Sequence, residues 1–265
     1  MKLRDLTILQ YQNVTKSAHL HRLWLSLEAF KKQMTYLAEN NFHVLSLDEA
    51  IGYMERKVEV NGKRPISMTF DNGFISFYAE VLPVLKTYGF PAAVLVSPEK
   101  LDSTATIGAH PVPYLTWELL KGLDEQNITL GTYEDAALNI NQIPEALVRD
   151  HITTFKKQME DRLGRRIDYH GVKEGVPKSE IRSLLIAEGY RAFMTQCPTK
   201  QKPDLYAVGR IQVDDEDFNI FLSKISTTYL FFKDKESWKY IRKYRLDRVA
   251  HRMSETYNWI RSLEV

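Results

Sequence analysis

Short apolar segments alternate with longer amphipathic segments along most of this chain. Residues 65–70 read Pro-Ile-Ser-Met-Thr-Phe, and the segment stops at a polar cluster, Asp71-Asn72-Gly73. Residues 92–96 contain only alanine, valine and leucine. Continuous apolar runs of this length are typical of strands buried in a parallel sheet. The pattern therefore predicts buried parallel strands at both places.

Helical spacing of apolar residues follows several of these segments. Ser26 is a predicted N-cap for a helix in which Phe30, Met34 and Leu37 recur at helical intervals. Repeated alternation of strand and helix with short connections favours a parallel β/α barrel or an open doubly wound sheet. Further strands are predicted at residues 6–11, 42–45, 128–131, 169–172, 192–195 and 208–213.

The polar cluster after residue 70 is the first candidate for chemistry. In α/β folds, functional side chains lie at the carboxyl ends of the strands. The alternative interpretation is an ordinary strand end with an Asn-Gly turn. Residues 98–114 contain three prolines and show no periodicity, so we expect a loop over this end of the barrel, which we call the mouth.

Composition narrows the class of protein. The chain has 265 residues with 44% hydrophobic and 26% charged residues, as in a soluble globular protein. We expect a single domain over residues 1–265. A net charge of +2 is too small to indicate nucleic-acid binding. Cys197 is the only cysteine, which excludes an internal disulfide.

Targeting signals are not visible in the sequence. Residues 1–5 lack the apolar stretch of a signal peptide, and no window of 18 apolar residues predicts a transmembrane helix. We therefore expect a cytoplasmic protein. Residues 234–265 predict an amphipathic helical extension with a basic face. Such a helix can lie on an anionic membrane, but acidic residues dilute the basic run, so we favour packing of its apolar stripe on the barrel.

Several motifs, in the same order along the chain, resemble those of the polysaccharide deacetylase (NodB-homology) family. They are Leu6–Val14, Ser46-Leu47-Asp48-Glu49-Ala50, Thr69-Phe70-Asp71-Asn72-Gly73, Leu130–Pro144, Glu188-Gly189-Tyr190 and Gly209-Arg210-Ile211. The resemblance covers most of the chain. It implies a distorted (β/α)7 barrel, with the residue 234–265 helix as an extension.

The resemblance also implies a chemistry, most of which this sequence does not retain. In the family, an Asp acts as general base, a second Asp and two His bind a divalent metal, and another His acts as general acid. The base corresponds to Asp71, but the metal-binding Asp corresponds to Asn72. The metal-binding histidines correspond to Tyr133 and Ala137, and the general acid to Gln12.

The motif with the arginine that orients the base is replaced as well. Only its glycine is kept, at residues 171–175. Zinc sites of this kind need three protein ligands with nitrogen or anionic oxygen donors. A neutral amide, a phenol and a methyl group are poor replacements, so we expect no metal cofactor. Without the ion, a water molecule keeps a pKa near ~15.7 instead of ~7.

New acidic or basic groups could have replaced the old site. Glu134 with Asp135, next to Tyr133, could form a carboxylate pair with Asp71, as in glycosidases. His170 and Glu174 could form an acid/base pair or a weak metal pair with Asp71. We favour the alternative that the acids face solvent and that the histidine is a packed, hydrogen-bonded residue.

Two functions follow as hypotheses. The first is an impaired or inactive polysaccharide deacetylase-like protein whose cleft binds an N-acetylated glycan, a lipid-linked sugar or a protein partner. The cleft would contain Asp71, Gln12, Asn72, Tyr133, Glu134, Ala137 and His170. The second is an active hydrolase of carbon–nitrogen amide bonds in a carbohydrate, in which Asp71 acts with groups foreign to the family.

Overall fold

The protein is described by a computed structural model. It describes residues 3–21, 23–123, 127–196, 203–214 and 217–226, without the side chains of residues 20 and 135–138. The predicted extension at residues 234–265, and Cys197, lie outside the described part.

The chain divides into two compact units. The first is Met1–Cys197 with Lys202–Asp215, and the second is Pro198–Gln201 with Glu216–Val265. The expectation of a single domain stays a prediction. The described part of the second unit contains one short helix that begins after Asp217, whose side chain accepts a hydrogen bond from the first turn.

Strands and helices alternate through the first unit. The strands are β1 (Thr7–Tyr11), β2 (Asn13–Thr15), β3 (Trp24–Ser26), β4 (Phe42–Leu45), β5 (Arg64–Asp71), β6 (Ala92–Val96), β7 (Thr104–Ile107), β8 (His110–Pro113), β9 (Ile128–Asn139), β10 (Tyr169–Glu174), β11 (Ala192–Thr195), β12 (Val208–Gly209) and β13 (Ile211–Val213). The helices are α1 (Leu27–Glu39), α2 (Leu47–Met54), α3 (Leu82–Tyr88), α4 (Trp117–Lys121), α5 (Glu145–Leu163), α6 (Ser179–Ala187) and, in the second unit, α7 (Phe218–Lys224). A π-helical turn, Phe77–Val81, leads into α3, and short 3₁₀ turns lie at Ala18–Leu20, Pro98–Lys100, Ile140–Gln142 and Leu205–Ala207.

The main sheet is a nearly closed parallel barrel, as predicted. Its strand order is β12-β11-β10-β9-β6-β5-β1-β13, and β4 pairs with the first half of β5. Strands β12 and β13 are two parts of one segment, interrupted at Arg210. Because β12 pairs with β11 and β13 pairs with β1, this segment joins the two ends of the sheet. Counted in this way, the barrel has seven strands and matches the expected (β/α)7 architecture.

Side chains alternate between the inside and the outside of the barrel along each strand. The inner face carries a continuous apolar cluster that includes Ile8, Leu95, Tyr133, Tyr169 and Met194. The outer face is covered by the helices. For example, the buried residues of α5 recur at helical spacing from Val148 to Met159. This alternation decides which residues can reach the mouth from inside.

Helix boundaries follow local rules. Ser46 and Glu49 form a reciprocal capping box at the start of α2. Helix α5 ends at Gly164, which adopts a left-handed conformation with φ of 69°. Within the described residues, no helix is long and apolar enough to cross a lipid bilayer.

The predicted loop at residues 98–114 is wrong, because most of it forms an antiparallel hairpin, β7–β8. Pro111 and Pro113 lie at alternate positions of β8, and alternate residues of an edge strand need no N–H donor toward their partner. The amide of Leu115 donates to the carbonyl of Gly73 over 2.7 Å. The hairpin is therefore fixed beside the end of β5.

Candidate functional site

Asp71 is the last residue of β5 and is only 1% exposed. Its Oδ1 accepts a hydrogen bond from Nη1 of Arg210 over 2.6 Å, and its Oδ2 accepts one from Nε2 of Gln10 over 2.6 Å. The hydroxyl of Tyr133 also hydrogen-bonds to this carboxylate. Both oxygens of the remnant base are therefore held by protein groups.

Three different parts of the barrel supply these groups. Gln10 lies on β1, where it is in register with Thr69 of β5. Tyr133 lies on β9, and Arg210 lies at the interruption between β12 and β13. Gln10 and Tyr133 point into the barrel because they sit on inward-facing positions of their strands, and Arg210 reaches the interior from between β12 and β13.

Arg210 spans the interior of the barrel. Besides Asp71, its Nη1 donates to Oγ1 of Thr69 over 3.2 Å, and its Nη2 donates to the carbonyl of Val172 over 2.9 Å. Neither side chain of the Arg210–Asp71 pair is exposed. A Cβ built on Gly171 would lie 2.6 Å from Leu95, which is too close, but 3.7 Å from Nη2 of Arg210, which is an ordinary contact, so the glycine leaves room for Leu95 beside the guanidinium.

Burial is the largest influence on the charge of Asp71. It raises the pKa of the Asp71 carboxyl, since the charged form loses its hydration. The charge of Arg210 and the hydrogen bonds from Arg210, Gln10 and Tyr133 oppose this rise. Asp71 is therefore a member of a buried ion pair that is shielded from bulk solvent.

The other predicted residues near the end of β5 are close to Asp71 in space. Asn72 adopts a left-handed backbone with φ of 71°, and so does Gly73. Asparagine tolerates this conformation better than most residues do. Gln12 is half-buried and lines a narrow cavity together with Asp71 and Ser76. The residue that hydrogen-bonds Asp71 is Gln10, however, and not Gln12.

Tyr133 takes the position that the resemblance assigns to a metal-binding histidine. The structure buries it and directs its hydroxyl to Asp71. The second such position, Ala137, has its side chain outside the described part, as does Asp135. Whether Ala137 faces the cleft stays a prediction.

Glu134 does not line the cleft, contrary to the prediction. It follows inward-facing Tyr133 on β9 and so points outward. There its Oε2 contacts Nδ1 of His151, on α5, over 2.6 Å. The side chains of this pair are 7% and 13% exposed. The proposed carboxylate pair between Glu134 and Asp71 is therefore excluded by the alternation of side chains along β9.

His170 is also on the outer face, so the prediction that it lies in the cleft is wrong. Its Nδ1 lies 2.7 Å from Oγ1 of Thr132, and its ring packs against Tyr190 and Phe193. Burial lowers the pKa of His170 to about 3, with a smaller contribution from the charge of His151. The alternative interpretation of a packed, neutral histidine is the one that the structure supports.

The sequence analysis did not single out Gln10 and Arg210 as site residues. A signal for each was present. Gln10 interrupts an apolar strand at an inward-facing position, and Arg210 belongs to a motif used for the family resemblance. Their contacts with Asp71 depend on how distant strands pair, and Arg210 lies more than a hundred residues from Asp71 along the chain. Local sequence patterns do not reveal contacts of this kind.

The donors around Asp71 do not fit a catalytic metal. A guanidinium is bound directly to the carboxylate, and the nearby side chains are amides and a phenol. Metal sites of this kind use imidazole and carboxylate donors. Across the side chains that the structure describes, no group of three or more His, Cys, Asp or Glu residues could hold a metal ion.

Comparison with known proteins relates this chain to polysaccharide deacetylases. The family model for polysaccharide deacetylase matches residues 59–193. A putative polysaccharide deacetylase, YxkH from Bacillus subtilis strain 168, is 22% identical over 210 residues, which cover 78% of this chain and 71% of that protein.

Solved structures share the fold. IcaB from Ammonifex degensii has a TM-score of 0.68 at 21% identity, covering 80% of this chain and 92% of that one. The Streptococcus pyogenes deacetylase PplD, solved in complex with acetate, has a TM-score of 0.65 at 16% identity, covering 80% and 93%. BC0361, a polysaccharide deacetylase from Bacillus cereus, has a TM-score of 0.67 at 18% identity, covering 84% and 69%.

Proposed function

Because this chain belongs to the polysaccharide deacetylase family, we propose that it is a member that does not deacetylate through a metal-bound water. In this proposal the barrel instead binds an N-acetylated glycan, free or lipid-linked, or a protein partner. The observation that carries it is the contact of Tyr133, which stands at a metal-ligand position, with Asp71: its hydroxyl hydrogen-bonds to the buried carboxylate that Arg210 and Gln10 also hold.

The proposal follows from what a general base must do. It must accept a proton from a water molecule within hydrogen-bond reach. In Asp71 the acceptor positions already serve an arginine, a glutamine and a tyrosine, and the carboxylate is 1% exposed. A water molecule would have to enter this buried site and compete with three protein donors for the lone pairs of the carboxylate.

Loss of the metal is part of the same proposal. Removing the ion would remove both the activation of water and the electrophile that stabilises the oxyanion. Asn72 and Tyr133 supply only neutral donors at two of the ligand positions. No single neighbouring side chain among those described replaces these functions, since Glu134 and His170 both face outward.

Zinc binding tests the proposal directly. Protein refolded with excess zinc and then dialysed should retain much less than one zinc per chain by elemental analysis. As a matched comparison, the same treatment applied to Tyr133→His/Asn72→Asp protein should raise the retained zinc. Stoichiometric zinc in the unmodified protein would overturn the proposed loss of the metal.

A second candidate is an amide hydrolase that uses Asp71 without the metal. The raised pKa of Asp71 favours it, since a stronger base accepts a proton more readily. Release of acetate from N-acetylglucosamine oligomers, abolished by Asp71→Ala, would establish this activity. The first proposal predicts no release above that of the Asp71→Ala variant.

A further inference from the structure

Three glutamines lie side by side at the mouth of the barrel. Gln10 of β1 and Gln212 of β13 are direct partners in the parallel register, so their side chains share the inner face. The Nε2 of Gln196, just after β11, donates to Oε1 of Gln212. We call Gln10, Gln212 and Gln196 the glutamine row.

The row runs from the buried interior toward the surface. Gln10 is fully buried, whereas Gln212 and Gln196 are half-buried. Its inner end holds Asp71 through Nε2 of Gln10, while Oε1 of Gln10 has no hydrogen-bond partner among the described residues. A buried amide oxygen without a partner is costly, and it attracts any group that can donate a hydrogen bond.

The chemistry of the row suits an uncharged ligand. Each primary amide offers both donors and an acceptor, and it carries no charge. The carboxylate at the inner end is already neutralised by Arg210. A cationic amine would therefore find no free anion in the row, whereas sugar hydroxyls and acetamide groups match amides in both directions.

We propose that the glutamine row is a binding subsite for uncharged acetamido sugars and that it disfavours the deacetylated amine form. This inference rests on the proposed function and specifies the residues and the form of the ligand. It places recognition on β1, on β13 and just after β11, whereas the changed metal-ligand positions Asn72 and Tyr133 lie just after β5 and on β9.

Calorimetric titration with a trimer of N-acetylglucosamine, and with its fully deacetylated form, tests the proposal. The unmodified protein should bind the acetylated trimer at least about tenfold more tightly than the amine. The double variant Gln196→Leu/Gln212→Leu should lose about tenfold in affinity for the acetylated trimer, because two hydrogen-bonding groups are removed. Gln158→Leu, an exposed position on α5, should bind like the unmodified protein.

The outcomes separate this inference from the proposed function. If the double variant binds the acetylated trimer as tightly as the unmodified protein does, the glutamine row is not the binding subsite, but glycan binding by the protein stands. Equal affinity for the amine would overturn the preference for an uncharged ligand. No binding by the unmodified protein would overturn the row and the binding of this glycan, and would leave the protein partner of the proposed function. Circular dichroism shows whether the double variant folds. If it does not, Gln196→Leu alone replaces it, since this half-buried position at the mouth tolerates change. Its affinity for the acetylated trimer should fall about threefold.

Discussion

The barrel wall carries two buried polar networks, one on its inner face and one on its outer face. The inner network joins Asp71, Arg210, Gln10 and Tyr133. It contains a full negative and a full positive charge, and neither side chain of the pair is exposed. It also occupies the position at which the family resemblance places a catalytic base.

The outer network lies between the strands and the helices. Thr132 contacts His170 there, and Glu134 contacts His151. Tyr190 links Thr132 to the carbonyl of Ile152 on α5. In this network His170 is neutral at physiological pH, because burial lowers its pKa to about 3.

The two networks meet at β9, where Thr132 and Glu134 face outward and Tyr133 faces inward, yet they have different energetics. Breaking a buried ion pair leaves an unpaired charge in a medium that solvates it poorly. Breaking a neutral hydrogen bond costs much less. A buried neutral histidine, in contrast, makes stability depend on pH. The inner network should therefore be sensitive to substitution, and the outer network to acid.

The largest effect is expected from Arg210→Met, which removes one partner of the inner ion pair. The free energy of unfolding should fall by about 3–5 kcal/mol, because Asp71 stays buried without its counter-charge. Urea unfolding at pH 7 measures this loss. Arg182→Met, which breaks a 2.5 Å pair with Asp204 that is 39% and 35% exposed, should cost below about 1 kcal/mol.

The double variant Asp71→Leu/Arg210→Met sharpens the interpretation. It removes both charges, so much of the stability lost in Arg210→Met should return. If Arg210→Met were as stable as the Arg182→Met control, breaking the inner ion pair would not cost the free energy of unfolding that we assign to it.

An intermediate effect is expected from acid acting on His170. An unfolded chain binds a proton at histidine near pH ~6.5, whereas folded His170 does so only near pH 3. Between these values the unfolded state holds more protons, so stability is lost as the pH falls. The contribution is up to about 1.4 kcal/mol per pH unit.

His170→Gln isolates this contribution, because glutamine can still hydrogen-bond to Thr132 but does not titrate in this range. Urea unfolding at pH 6.5 and pH 5 should show that the unmodified protein loses about 2 kcal/mol more than the variant. Parallel losses in the two proteins would show that His170 does not remain neutral in the folded state.

Local sequence patterns were sufficient to predict alternating parallel strands and helices, and the family resemblance added the barrel. Apolar runs such as residues 92–96 predicted the strands, and caps such as Ser26 predicted helix starts. The hairpin at β7–β8 was missed, because its strands are mostly exposed and β8 contains two prolines. No apolar alternation marks an edge of this kind.

The site was harder to predict than the fold. Asp71 and Tyr133 were placed together through the family motifs, and the structure brings them into contact. Glu134 was placed beside them because it follows Tyr133, and His170 because it adjoins the motif at residues 171–175. One step along a strand, however, reverses the direction of a side chain. Arg210 was missed because its contact with Asp71 depends on how the last strand closes the barrel.

The smallest effect is expected from Glu134→Gln in the outer network. Glutamine can still accept a hydrogen bond from His151, so the free energy of unfolding should fall by about 1 kcal/mol or less. The substitution should also leave binding of the N-acetylglucosamine trimer unchanged, because Glu134 is on the far side of the wall from Asp71. Calorimetry compares the two proteins under identical conditions. A loss of binding as large as that of the glutamine-row double variant would return Glu134 to the cleft and contradict the separation of the two networks.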